Sequence, residues 1–122
     1  MAYMNIWDRK KQDFSLMYLV VDTGASVTTL SKDLLQLAGH MMPNSNKKKI
    51  TTASGVEFVD EIILDKIKLG GLEMSNIPVY AHTFPEESFS SGVIGMNILS
   101  CFNLEFLFDS NELILSYEND AA

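Results

Sequence analysis

Leu19-Val20-Val21-Asp22-Thr23-Gly24-Ala25-Ser26-Val27-Thr28-Thr29-Leu30 sets one acidic residue inside an otherwise apolar and β-branched run. Val20, Val21, Val27 and Thr28 favour extended backbone on both sides. Gly24 supplies either the backbone freedom or the close approach that a sharp turn demands. The stretch therefore predicts a carboxylate mounted at the tip of a strand and held by a core. A buried carboxylate without a partner is costly, so the position of Asp22 raises the question of what shares its site.

Outward from this stretch the chain reads as mostly β. Ala2 to Trp7 and Phe14 to Val21 make a first hairpin across the charged segment Asp8 to Asp13, with Ala2 to Trp7 at an edge. Beyond the Asp-Thr-Gly turn, Ser26 to Leu30 is extended again. Ser31 is a helix cap, Lys32 to Ala38 a two-turn helix, and Gly39 its stop. Pro43 to Asn46 is punctuation, and Lys47 to Lys49 its solvated continuation. Ile50 to Ala53 enters a hairpin that turns at Ser54-Gly55 and returns through Val56 to Val59. Ile62 to Leu69 is a further strand, and Gly70-Gly71 a two-residue hairpin turn before Leu72 and Met74. Ile77 to Ala81 is a short extended segment in which Pro78 argues against an interior ladder position. Phe84 to Ser91 reads as a surface loop, Met96 to Leu99 as a helical turn, and Leu104 to Phe108 with Glu112 to Ser116 as a last pair of strands. Val93-Ile94-Gly95 faintly echoes Val20 to Gly24, so that one half carries the carboxylate and the other supplies packing.

Composition narrows the function classes. With 122 residues, 47% of them hydrophobic and 20% charged, the chain is expected to fold as one soluble domain, residues 1–122. Nine Lys or Arg against sixteen Asp or Glu leave a formal charge of -7, a poor basis for binding nucleic acid that Lys47 to Lys49 alone do not reverse. The longest apolar run, Leu16 to Val21, is too short to span a bilayer, and no leader pattern opens the chain, so no membrane partner is expected. Cys101 is the single cysteine. An intracellular or cytoplasmic location is the default, although a fragment released from a polyprotein would look the same.

The chain resembles the single-domain, retropepsin-like aspartic peptidases, nearer to the cellular or bacterial type than to the viral type. The resemblance rests on Leu19 to Ser26, then Thr52-Ala53-Ser54-Gly55, then Leu69-Gly70-Gly71, then Gly92-Val93-Ile94-Gly95-Met96-Asn97-Ile98-Leu99, all in family order. It implies an all-β acid-protease barrel with a short helix, its active site completed by homodimerisation. It also implies that Asp22 is catalytic, that Thr23, Gly24, Ala25 and Ser26 support the loop, and that Ala53, Ser54, Gly55, Val56 and Phe58 form a flap over an extended polypeptide substrate. Val93 to Gly95 would pack beside the loop, with Ile94 also lining the cleft. No cofactor and no metal are implied. The terminal segments Ala2 to Trp7 and Leu104 to Leu115 are the candidates for the dimer interface.

Simpler accounts stand beside these assignments. Asp-Thr-Gly occurs in ordinary turns, the 50–59 segment suits an ordinary hairpin, and Ser26 suits a turn hydrogen bond better than substrate contact. Other catalytic schemes lack their patterns: His40, His82 and Cys101 show no local metal spacing, Cys101 in Leu99-Ser100-Cys101-Phe102 is expected to be buried, Ser26 lacks a nucleophile elbow, and Gly70-Gly71 lacks a phosphate loop. Two functions remain: a homodimeric endopeptidase using water activated by paired aspartates, or a catalytically silent peptide-binding or assembly module on the same fold.

Overall fold

A computed structural model describes residues 2–40, 47–52, 55–82 and 91–117. Among the described residues nine strands and two short helices follow one another as β1 (Ala2–Asp8), β2 (Asp13–Val21), β3 (Thr29–Ser31), α1 (Lys32–Leu37), β4 (Lys47–Thr52), β5 (Gly55–Leu69), β6 (Leu72–His82), β7 (Gly92–Ile94), α2 (Met96–Leu99), β8 (Asn103–Leu107) and β9 (Glu112–Ser116). Six strands close a barrel in the order β1-β2-β7-β3-β6-β5, sealed by β1 pairing back onto β5 at Asn5↔Lys68 and Ile6↔Ile67. β4 extends the β5 side as a hairpin arm, and β8–β9 form a separate two-stranded sheet. Closure removes free edges from the barrel strands. Ala2 to Trp7 is accordingly not an edge: β1 pairs with β2 along its whole length and with β5 at its middle.

Alternation builds the core. Met4, Ile6, Met17 and Leu19 point inward from the first hairpin, and Leu30, Leu64, Ile67, Val79 and Ile94 from the other strands. Leu35 of α1 and Ile98 and Leu99 of α2 plug the barrel from outside the sheet. The β1–β2 turn has no glycine because the Asp8 carboxylate does the work. It accepts hydrogen bonds from the backbone of Lys10 and Lys11 and from the Ser15 hydroxyl. Helix α1 begins at the Ser31 cap and ends before Gly39, whose φ of 88° few other residues adopt and where a side chain would press on Arg9.

Several elements differ from the sequence expectation, each for an identifiable reason. Lys47 to Lys49 are not loop but the start of β4, in register with Asp60, Val59 and Phe58. The return arm Val56 to Val59 and the strand Ile62 to Leu69 are one continuous strand. The charged pair Asp60-Glu61 that reads as a break is laddered to Ala81 and Tyr80, with the Lys32 ammonium 3.7 Å from the buried Asp60 carboxylate. β6 is likewise longer than Ile77 to Ala81 and lies inside the sheet. Its pairing with β3 starts at Tyr80↔Thr29, two residues past Pro78, so no β3 bond is asked of the missing proline N–H. The inward face also changes phase partway along β5 and β6. Ile62 and Leu64 are buried, then Ile67 and Leu69, with Asp65 and Asn76 skipped by the ladder and Asn76 at φ 55°. The skipped Asp65 faces Arg9 and accepts both arms of its guanidinium, at 2.7 and 2.9 Å. Ser26 to Thr28 form loop, leaving Thr29–Ser31 as strand. The expected loop Phe84 to Ser91 lies outside the described residues except for Ser91.

Candidate active site

Asp22 stands where β2 leaves the sheet. Val20 and Val21 run parallel to Val93 and Ile94 of β7, and the Asp22 N–H adds one more bond to this ladder by donating to the Ile94 carbonyl at 3.1 Å. The chain then turns: the Ala25 N–H donates to the Asp22 carbonyl, and the Gly24 N–H donates to the Asp22 Oδ1 at 2.9 Å. A Cβ at Gly24 would lie 3.2 Å from that same oxygen, so close approach to the carboxylate is what the glycine provides. Asp22 itself is exposed, as are Thr23, Gly24 and Ser26, while Ala25 is half-buried.

The far end of the loop is tied to β7 and α2. β7 lies between β2 and β3, parallel to the first and antiparallel to the second. Glycines bracket it. A Cβ at Gly92 would come within 2.2 Å of the Thr29 carbonyl oxygen, and one at Gly95 within 2.6 Å of the Val27 backbone. The first N–H groups of α2 take up the loop carbonyls, with Met96 donating to Ala25 and Asn97 to Ser26. Side chains complete the fastening. Thr28 is fully buried, and its N–H and hydroxyl both donate to Asn97 Oδ1 at 2.8 and 2.9 Å. The Thr28 hydroxyl oxygen accepts from the Gly95 N–H, and the Asn97 amide donates to the Pro78 carbonyl at 2.7 Å. Sequence reading singled out neither Thr28 nor Asn97 for a role. The available signal was a lone amide side chain in the otherwise apolar segment Met96 to Leu99 and a pair of hydroxyls, Thr28 and Thr29, between Val27 and Leu30.

This architecture has solved counterparts. Residues 15–101 match the family described as "gag-polyprotein putative aspartyl protease", a span that takes in Asp22 and Asn97. The chain belongs to the retropepsin-like aspartic proteases. Its structure superposes on the crystal structure of a retropepsin-like aspartic protease from Rickettsia conorii with a TM-score of 0.62, at 25% identity, covering 94% of this chain and 81% of that one. No curated protein sequence matches the chain. The expected kinship with bacterial members agrees with that likeness.

Thr52↔Gly55 closes the β4–β5 hairpin, with Gly55 at φ 132° and Val56 and Phe58 exposed on its return arm. Ala53 and Ser54 lie outside the described residues. Ile94 is a correction: it has no exposed surface and belongs to the core, so it offers nothing to a ligand. Its neighbour Val93 points to the opposite face of β7 and is half-buried. A groove of about 350 Å³ lies between the barrel and the β8–β9 hairpin, lined by Ala2 and by Val21 at the end of β2 on one side and by Phe106, Phe108, Leu113 and Leu115 on the other. His40 is buried against the Trp7 carbonyl, Cys101 is exposed and not buried as its apolar neighbours suggested, and among the described residues no group of three or more His, Cys, Asp or Glu could hold a metal ion. No helix among them is long and apolar enough to cross a membrane.

Proposed function

We propose that this chain is an aspartic endopeptidase whose catalytic centre is made by two copies of itself. The observation that carries the reading is the state of Asp22 in one chain, where its backbone and one carboxylate oxygen are fixed while the residue stays exposed at the strand tip. A second Asp22 across a two-fold axis would supply the other carboxyl group. Two adjoining carboxyls resist double ionisation and share one proton, as aspartic proteases in general do. The ionised member takes a proton from water as the water oxygen adds to the scissile carbonyl carbon, and the protonated member donates to the carbonyl oxygen. The tetrahedral intermediate then breaks its C–N bond as the leaving nitrogen takes a proton from the dyad. The scheme uses no metal and no organic cofactor.

In this reading the β4–β5 hairpin is the flap, Ala53 and Ser54 included. Its backbone would pair with an extended polypeptide, and Val56 and Phe58 would meet the substrate's side chains. Val93 takes the cleft-lining role first given to Ile94. Of the two terminal candidates for the dimer interface, the β8–β9 hairpin is the better one. β1 is already consumed by the barrel, whereas Phe106 and above all Phe108, 84% exposed, present apolar surface in the groove that Val21 also lines. The lone cysteine suits a reducing, intracellular setting.

The test is cleavage of a diverse library of unfolded peptides from mildly acidic to neutral pH by wild type and Asp22→Asn, with molecular mass followed by sedimentation in the same samples. Cleavage by a wild-type dimer that drops at least ~1,000-fold in a folded, dimeric Asp22→Asn chain is the expected outcome. Equal cleavage by both proteins would reject Asp22 as the catalytic group. A folded wild-type dimer that binds peptides without cutting them would favour the silent binding module.

A further inference from the structure

The outer face of β2 departs from the pattern of a strand that meets water. Its inward residues Met17 and Leu19 are buried, as a barrel requires, but the residues that alternate with them, Phe14, Leu16, Tyr18 and Val20, are apolar or aromatic as well. Leu16 is 61% exposed, and Tyr3, across from Tyr18 on β1, is 62% exposed. The rings form a ladder along the two strands. Tyr3 and Tyr18 lie 4.7 Å apart by centroid, and Trp7 meets Phe14 edge to face at 5.4 Å. The next strand, β5, brings cations to the same face: Lys68 stands beside Asn5, and the Lys66 ammonium lies 4.6 Å from the centre of the Trp7 ring. Lys68 has Glu73 of β6 across from it, whereas Lys66 has Ser75. In a chain of net charge -7, an apolar strip thus ends at a lysine.

The other end of the strip leads to Asp22. That residue follows Val20 by two positions and its N–H continues the β2–β7 ladder, so it stands on the same face as Val20, Tyr18 and Leu16. Val93, level with Val20, lies on that face too. From Val20 to Phe14 the strip is about 20 Å long, the span of about six extended residues. It is separate from the groove at the β8–β9 hairpin, which Val21 lines from the opposite face of β2.

We propose that this strip extends the substrate cleft: it holds the flank of an unfolded polypeptide about four to ten residues from the scissile bond, and favours flanks carrying aromatic or large aliphatic residues with an acidic residue beyond them. The proposal rests on the endopeptidase reading. The occupant follows from the strip's continuity with the face that carries Asp22 and from the cation at its far end. Apolar side chains of the flank pack on Tyr18, Tyr3 and Leu16, and a carboxylate meets Lys66. In a two-fold dimer each copy contributes one strip, so both flanks are read.

The experiment compares cleavage of random peptide pools of about eight and about twenty residues, the longer one alone reaching past Val20. Wild type should cut the long pool with a kcat/KM about tenfold or more above the short pool. The double variant Leu16→Ser, Tyr18→Ser should lose that advantage through KM while its cleavage of the short pool stays within about twofold. Sequenced cuts in the long pool should show Phe, Tyr or Leu in the flank with Asp or Glu beyond, and Lys66→Glu should abolish the acidic preference. Trp7 is the single tryptophan, so binding of the long pool to Asp22→Asn should shift its emission, and the shift should vanish when Leu16→Ser and Tyr18→Ser are added. Equal kcat/KM on the two pools, or a double variant that slows both alike, overturns the proposal. A dimer dissociation constant raised about tenfold or more in the double variant also overturns it, by giving the strip to a second copy. If wild type cuts neither pool, the endopeptidase reading fails, and the Trp7 response decides by itself whether the strip holds polypeptide.

Discussion

The Asp22 loop and the β8–β9 hairpin are finished to different degrees. In the loop, backbone N–H groups, carbonyls and the buried Thr28 hydroxyl find partners within the same chain, and two glycines admit backbone where no side chain fits. The hairpin is finished only in part. Leu104 and Leu115 pack against the barrel core, but Phe106 further along the same face, Phe108 beyond the strand and Ile114 on the opposite face remain exposed. The contrast separates two jobs. One chain fixes its own Asp22 loop, and in the proposed dimer the apolar hairpin is what a second copy covers.

The contrast breaks most severely at Gly95. Gly95→Ala forces a methyl group to within 2.6 Å of the Val27 backbone, and neither partner is a flexible side-chain end. The expected loss is about 3 kcal/mol of unfolding free energy in urea titration, seen in the isolated chain whatever its oligomeric state. Phe108→Ser sharpens the contrast from the other side. With 84% of Phe108 exposed, monomer stability should change by less than ~0.5 kcal/mol while the dimer dissociation constant rises about tenfold or more in sedimentation equilibrium. A large loss of monomer stability instead would make the hairpin aromatics part of the fold and not of an interface.

The smallest effect lies in the β1–β2 turn, away from both regions in sequence. The Asp8 carboxyl is held below its ordinary value first by the backbone N–H of Lys11, and that of Asp65 first by the Arg9 guanidinium. For both groups the unfolded chain binds more protons than the folded one between the folded pKa and 3.8. Their stabilisation is therefore complete above about pH 5 and is lost as pH falls through the folded values. Asp65→Asn should flatten that acid limb and, the Arg9 pair being largely exposed, cost only about 0.5 kcal/mol at neutral pH by chemical denaturation. Loss of dimer in Asp65→Asn would contradict the assignment of the interface to β8–β9.

Much of this was legible where it was local. The run Leu19 to Leu30 carries its own strand, turn and acid, the Ser31 cap sits next to the helix it starts, and Gly70-Gly71 closes the Leu69↔Leu72 hairpin it announces. What escaped was set by partners far along the chain. Thr28 and Asn97 are 69 positions apart, and neither residue signals the other. The burial of Ile94 escaped because Val93 and Ile94 are equally apolar, and only the barrel's phase decides which of them is inside. Asp60-Glu61 hid the continuity of β5 because charge reads as a loop until Lys32 and the β6 ladder are placed beside it. The closing pair Asn5↔Lys68, which removes β1 from the edge, has no sequence signature at all.

The central claim is that two Asp22 carboxyls, one from each copy, make a single site. Its most direct test is to mix wild type with Asp22→Asn at constant total chain, allow subunits to exchange, and measure peptide cleavage against the wild-type fraction. If both carboxyls are required, only wild-type pairs cut, and the rate follows the square of that fraction, about one quarter at an equal mixture. A rate that falls in direct proportion, to about one half at the same mixture, would mean that each chain works alone and would contradict the shared site.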